Sequence, residues 1–479
     1  MIVTTSDLLA ILPLIIVATT ALVVMLAIAV RRVHRLTASL TLTGLTLAFV
    51  SLFVAARFAV RSVTPLLIVD GLGLAFLGLI LAAGLVVTLF TYVYLERGVE
   101  QRDEHYLLLL IAILGTMVLA MSVHWSAFFL GLETLGVALY SLIAYQAAQP
   151  RAIEAGIKYF TLAALSTAFV AFGIALIYAD TGSLELDALT SLATEGSLLT
   201  LAGIVLVLVG IAFKLALVPF HQWSPDVYQG AAAPVTALIA TISKAGVFAF
   251  FLRTSVVLAL PLDSSYGLIV AVLAVASMFI GNLLALRQQN FKRLLAYSSV
   301  AHMGYLLIAV FAFETWALMG AIVYLAAYFV AVLAALGVLI TLSGPTEEAE
   351  TLEPYRGLFW RHPWLAAVLT LSMLSLAGFP LTAGFMGKVI LVAGGIGNTL
   401  WGLVISLILS SIIGVYYYLR VIVVMFAPLP EGKTQAAAPA VVPWSAWLGL
   451  AGLTVLLLWI GIYPSPFFAT VEIVLGLGR

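Results

Sequence analysis

The chain has 479 residues, of which 64% are hydrophobic and 9% charged, against roughly 25% charged in a soluble domain. The surplus apolar surface has to face lipid, and a formal net charge of zero argues against a nucleic-acid partner. Cysteine is absent, which excludes disulfides, thiolate nucleophiles and cysteine-ligated iron–sulfur or zinc sites, so any coupled redox chemistry sits on other chains.

Apolar runs of about 20 residues, the length that crosses a hydrocarbon core, recur from one end of the chain to the other. They predict fourteen spans near 8–30, 36–56, 70–95, 106–123, 125–147, 157–179, 198–220, 233–252, 267–286, 294–312, 316–342, 364–395, 398–427 and 444–463. No stretch remains for a soluble domain, so residues 1–479 read as a single all-α polytopic membrane domain. The first run is too long for a signal-peptide core and follows no basic region, so it reads as a retained span. With the N-terminus on side A, the side-B loops carry 14 Lys and Arg residues, from Arg31 to Lys433, and side A carries 4: Arg57, Arg61, Arg253 and Arg479. Positive charge marks the cytoplasmic side, which places both termini outside. The turn from Arg31 to Arg35 and the pair Lys292-Arg293 read as topology and headgroup anchors, and the acidic stretch from Glu347 to Glu353 as a solvated loop that could touch a neighbouring subunit.

Three of the 21 basic residues fall inside predicted spans: Lys214, Lys244 and Lys388. Glu133 is the acidic residue well inside an apolar run. An ionisable group at a helix centre costs about 2.5 to 3.5 kcal/mol on insertion scales, so it requires a polar partner, an aqueous cavity or a functional reason. For Glu133 the readings are a structural salt bridge or, with Lys214, a pair poised to change protonation. Pro219 removes a backbone donor five residues beyond Lys214 and predicts a break there. Gly378, Pro380, Thr382 and Gly384 predict unwound backbone just before Lys388. Paired broken helices, five spans apart, point to a repeat-built transporter with its ion site at mid-membrane; packing kinks are the plainer alternative. Lys244 lies halfway along the eighth span, too deep to snorkel to either surface. His302, near Ser298, Ser299 and Tyr305, is either a relay group or a histidine hydrogen-bonded between helices. The run from His221 to Gly230 is a proton entrance or a plain connector with an interfacial Trp and Tyr.

At these residues the chain resembles the proton-translocating antiporter-like subunits of respiratory complex I, and among them the subunit N (subunit 2) branch. The matching segments are FKLALVPFHQWSPDVYQGAAAPVTA from Phe213 to Ala237, Ser243-Lys244, KRLLAYSSVAHMG from Lys292 to Gly304, and SLAGFPLTAGFMGK from Ser375 to Lys388. The resemblance implies helices 1–3 at 8–95, two inverted five-helix repeats (helices 4–8 at 106–252 and 9–13 at 267–427, with helices 7 and 12 discontinuous), and helix 14 at 444–463. It also implies a proton path in which Glu133 and Lys214 interact, Lys244 relays, and Lys388 is the terminal group, with His302 a less specific match. No cofactor is implied in this chain. NADH or another donor, flavin, iron–sulfur clusters and quinone are implied on partner subunits, in an energy-transducing membrane such as the bacterial inner membrane. A lysine at the twelfth-span position is similar to subunits N and L, whereas subunit M usually has a glutamate, and subunit L adds a long lateral helix. Competing readings are a subunit of a multi-subunit sodium/proton antiporter and a non-pumping membrane scaffold.

Overall fold

The structure, a computed structural model, describes residues 4–97, 103–190, 197–258, 261–311, 315–344, 347–428 and 444–476. Arg102, Lys433 and Arg479, counted above, lie outside the described residues. The helices in chain order are α1 (Thr5–Ala10), α2 (Leu12–Val30), α3 (His34–Ala55), α4 (Gly71–Leu95), α5 (Glu104–Met121), α6 (Trp125–Ile143), α7 (Pro150–Thr181) and α8 (Leu198–Leu215). They continue with α9 (Trp223–Gly230), α10 (Ala233–Ala240), α11 (Ile242–Val257), α12 (Ser265–Leu286), α13 (Phe291–Leu306) and α14 (Thr315–Leu342). The last are α15 (Leu358–Arg361), α16 (Pro363–Ala377), α17 (Ala383–Gly397), α18 (Trp401–Phe426), α19 (Trp444–Ile462) and α20 (Ser465–Leu475). Among the described residues 13 helical segments are long and apolar enough to cross a membrane. The remaining expected span is the broken pair α16–α17.

The breaks fall where the backbone is forced out of helix. α8 ends one residue after Lys214, at Ala216 in the left-handed region (φ 58°). The carbonyl of Phe213 accepts both from the Ala216 amide at 3.0 Å and from the Trp223 indole at 2.8 Å, so a side chain helps to close the helix end. α16 ends at Gly378 (φ 87°), and α17 restarts at Ala383. A third break was not expected: the span predicted to be continuous over 233–252 is interrupted at Thr241 (φ −120°, ψ −80°), between α10 and α11. The Thr241 and Ser243 hydroxyls donate back to the carbonyls of Ala237 (2.6 Å) and Ile239 (2.9 Å). Such back-bonding bends helices.

The lipid-facing helices α2, α7 and α18 are largely exposed, whereas α10, α11, α13 and α14 are buried along most of their length and form the interior. Neighbour relations recur: α5 packs on α6 and α11 as α12 packs on α13 and α18, and α7 packs on α8 as α14 packs on α16 and α17.

The loops assigned above to side B are tied together at one end of the bundle, by Arg32–Glu104 (2.6 Å), Arg151–Glu350 (2.9 Å) and Arg420 to the Leu286 carbonyl (2.8 Å). The opposite end carries Asp7–Arg61 (2.5 Å) and a hairpin of β1 (Arg61–Thr64) and β2 (Leu67–Val69), which an all-α reading did not include. Arg253, taken above as a loop cation, instead sits 8% exposed on α11 and grips both oxygens of Asp70 at 2.6 and 2.9 Å. Asp70 also caps α4 by accepting from the Gly73 amide.

Two further expectations are corrected. Lys292 is 1% exposed and bonded to Glu348 at 2.7 Å, and Arg293 pairs with Asp226 at 2.7 Å; neither is a headgroup anchor. The stretch from Glu347 to Glu353 is correspondingly not merely solvated, because Glu348 binds inward and Glu350 pairs with Arg151 and accepts from Asn290 at 3.0 Å.

Candidate functional site

All three expected lysines are buried: Lys214 is 4%, Lys244 0% and Lys388 9% exposed. None of them makes an ion pair among the described residues. Each is held by hydroxyls, carbonyls and aromatic rings instead.

Lys214, on the last turn of α8, donates to the Tyr159 hydroxyl of α7 at 3.3 Å and lies 5.3 Å from that ring's centroid. The expected direct contact with Glu133 is absent: the half-buried carboxylate accepts from Thr167 at 2.8 Å. The two charges nevertheless face each other. Gly136 is three residues beyond Glu133 and so on the same face of α6; a Cβ there would lie 3.6 Å from Lys214 Nζ and 3.1 Å from the Tyr140 hydroxyl. Tyr140 and Tyr159 are in edge-to-face contact at 5.7 Å, so two phenols stand where a salt bridge was expected.

The run from His221 to Gly230 is neither a surface loop nor an interfacial anchor. Trp223 and Tyr228 are 3% and 0% exposed, on α9, which packs into the interior beside α7 and α13. Trp223 stacks on Phe213 and Tyr159, and Tyr228 reaches the next lysine. Ser166 Oγ and His221 Nδ1 are buried polar atoms without a hydrogen-bond partner among the described residues, and Ser224 lies against the Tyr228 hydroxyl.

Lys244 stands three residues after the Thr241 break and donates to Ser299 Oγ at 2.5 Å. Ser299 also accepts from Tyr328 at 2.6 Å and, more weakly, from Tyr228 at 3.4 Å. One turn on, His302 bonds the Tyr324 hydroxyl through Nδ1 (2.6 Å) and the Tyr418 hydroxyl through Nε2 (3.1 Å). Tyr418 also bonds Ser298 at 2.5 Å. The His302 ring packs on Tyr328 and Tyr305 with centroids 5.1 and 5.5 Å apart, and Tyr305 lies 5.5 Å below Lys388 Nζ. His302 is thus hydrogen-bonded between helices through Tyr324 and Tyr418, while its ring contacts with Tyr328 and Tyr305 set it between the surroundings of Lys244 and Lys388. Lys388 completes the tract on α17, donating to the carbonyls of Leu376 (3.2 Å) and Ala377 (2.8 Å) and to Ser411 (2.7 Å). Those carbonyls are the free C-terminal end of α16, where backbone dipoles favour a cation.

Tyr140, Tyr159, Tyr324, Tyr328 and Tyr418 are what sequence reasoning missed. Tyr324 and Tyr328 are four residues apart on α14 and so share one face, a spacing visible in the sequence but uninformative without knowing that His302 lies opposite.

The chain matches the family described as NADH:quinone oxidoreductase/Mrp antiporter, TM over residues 122–414, which contains every residue of this tract except Tyr418. It is 45% identical over 480 residues to an NADH-quinone oxidoreductase subunit N of Ectopseudomonas mendocina (strain ymp), covering 98% of this chain and 97% of the relative. It superposes with a TM-score of 0.82 at 34% identity on a chain of respiratory complex I from Thermus thermophilus, covering 96% and 99% of the two. A chain of the Mrp complex from Dietzia sp. DQ12-45-1b has a TM-score of 0.85 at 21% identity, covering 99% and 97%, and shows the shared fold. Similarity over nearly the whole of both chains, at that identity, makes this chain a member of the subunit N family of antiporter-like membrane subunits of respiratory complex I.

Proposed function

We propose that this subunit carries protons across the bilayer through Lys214, Lys244, His302 and Lys388, with Glu133 acting on Lys214, as the non-redox translocating part of an NADH:quinone oxidoreductase. Electron transfer from NADH or another donor through flavin and iron–sulfur clusters to quinone occurs on partner subunits. The observation that carries the reading is the buried tract joining Lys244 to Lys388 through Ser299, Tyr328, His302 and Tyr305, at hydrogen-bond or ring-contact distances throughout. Groups so linked titrate as a set, and loading one end with charge changes the proton affinity of the other. Glu133 biases Lys214 from across the Tyr140–Tyr159 pair. Between Lys214 and Lys244 no direct link is made among the described residues, and water would carry the proton over that stretch.

The repeated neighbour relations support two related five-helix units, over 106–252 and 267–427. The excess of basic residues at one end supports a cytoplasmic placement of that end, with both termini outside an energy-transducing plasma membrane. In reconstituted assembly, Lys244→Ala and Lys388→Ala are expected to lower protons moved per electron while the subunit still assembles. Wild-type stoichiometry in both variants would reject the path. Sodium-dependent proton exchange in vesicles without any electron-transfer partner would instead favour an antiporter.

A further inference from the structure

Lys292 takes no part in the proposed path, although it is 1% exposed. Its ammonium donates to the carbonyls of Gln229 (3.1 Å) and Ala231 (2.5 Å) and pairs with Glu348 at 2.7 Å. The other oxygen of Glu348 accepts from the Ala233 amide at 2.9 Å. Glu348 also meets the Tyr94 hydroxyl of α4, to which Gln146, just beyond α6, donates at 3.0 Å. The pair therefore holds the joint between α9 and α10 from both sides: the cation takes the carbonyls of Gln229, in the last turn of α9, and of Ala231, just beyond it, and the carboxylate takes the first amide of α10.

That joint controls the surroundings of Lys244 in two ways. Tyr228 sits on the last turn of α9 with its hydroxyl on Ser299 and its ring 6.0 Å from Lys244 Nζ. α10 runs from the joint to the break at Thr241, three residues before Lys244. Lys292 is also on α13, seven residues before Ser299, and so on the same helix face two turns away. The same clamp thus fixes the helix that carries the acceptor and the two helices that bring Tyr228 and Lys244 to it.

We propose that Lys292 and Glu348 are a positioning pair for the Lys244 relay, the acidic loop after α14 serving to deliver Glu348 to the α9–α10 joint. This rests on the proposed role of Lys244. The pair acts through Tyr228 and Ser299, so its loss and the loss of the Tyr228 hydroxyl should not add, as for residues in one network.

The test uses the full reconstituted complex, measuring protons moved per electron, with assembly and quinone reduction followed separately. Glu348→Gln keeps an oxygen for the Ala233 amide but removes the charge facing Lys292. It should assemble, reduce quinone and lower the proton ratio at least about two-fold. On a Tyr228→Phe background it should cause no further loss. Arg151→Gln, which breaks the neighbouring exposed pair with Glu350, should leave the ratio unchanged. Lys292→Gln, whose amide still donates to the two carbonyls, should behave as Glu348→Gln does. A wild-type ratio in Glu348→Gln, full additivity with Tyr228→Phe, or failure of both the Glu348 and Lys292 variants to assemble would overturn the proposal. Lys244→Ala separates the two ideas: if it pumps normally the relay reading fails, and if it alone fails to pump only the positioning pair is wrong.

Discussion

A buried ammonium with no carboxylate beside it is held by whatever lone pairs surround it, and here those belong to phenols, serines and carbonyl groups. Tyr328 is informative because it has two separable roles: its hydroxyl donates to Ser299 and its ring packs on His302. Tyr328→Phe is expected to assemble normally and to lower protons per electron by roughly half or more; an unchanged ratio would show that the ring alone suffices. Glu133 and Lys214 face each other without touching, with Tyr140 and Tyr159 close by. Coupling through that short separation is expected to survive, so Glu133→Ala combined with Lys214→Ala should cost little more in pumping ratio than either alone. Independent, additive losses would show that Glu133 serves another partner. Lys214, Lys244 and Lys388 could be picked out in the sequence because charge in an apolar run is conspicuous. Lys292 could not, since it stands near a span end where a cation ordinarily meets headgroups, and the carboxylate that buries it is 56 residues away.

At the scale of elements, breaks made by proline and glycine were legible, whereas the break at Thr241 was not, because it is made by hydroxyl back-bonding within an otherwise regular apolar run. The short α1 and α20 were missed because each adjoins a long apolar run and neither is long enough to span. The α16–α17 break depends on Gly378, whose φ of 87° is open to glycine and whose added Cβ would lie 2.8 Å from Lys388 Cδ and 3.0 Å from Nζ. Gly378→Ala should therefore cost about 1–2 kcal/mol of backbone strain, seen as a lower Tm of the purified complex, and should displace the ammonium, seen as lost pumping. A Tm and a proton ratio both at wild-type values would show that the break tolerates a side chain. At the other end of the bundle, hydrogen bonds from Thr4, with help from Arg61, hold the Asp7 carboxyl down to about 2. A depressed carboxyl stabilises the native state above its unfolded value of 3.8, and that contribution is lost as pH falls toward about 2. Hydrogen exchange of α1 should accelerate over that window, and Asp7→Asn should abolish this pH dependence.

Across the whole molecule, the span count was readable because lipid imposes continuous apolar runs on the sequence, while the packing order that puts α10, α11, α13 and α14 inside had no local signature. The proposed orientation rests on loop charge. Because the chain has no cysteine, single introduced thiols report it directly. Arg31→Cys is expected to react only from the cytoplasmic side and Arg57→Cys only from outside, and the reverse pattern would invert the molecule in the bilayer.

The Lys388 ammonium has three N–H groups and three acceptors, two carbonyls and the Ser411 hydroxyl. A neutral amine would have only two hydrogens for them, and a carbonyl oxygen cannot turn into a donor. The serine can: rotating its O–H from the Tyr305 hydroxyl toward the nitrogen lone pair satisfies the amine after the proton has gone. Beside Lys244 the hydroxyl is that of Ser299, which also accepts from Tyr328 and Tyr228. If Lys388 gives up a proton as proposed, a single torsion at the neighbouring hydroxyl is enough to accommodate the neutral amine, without a rearrangement of helices. Ser411→Ala should leave the charged form held by two carbonyls and the neutral form with a bare lone pair, making release of the proton, not its capture, the slow step.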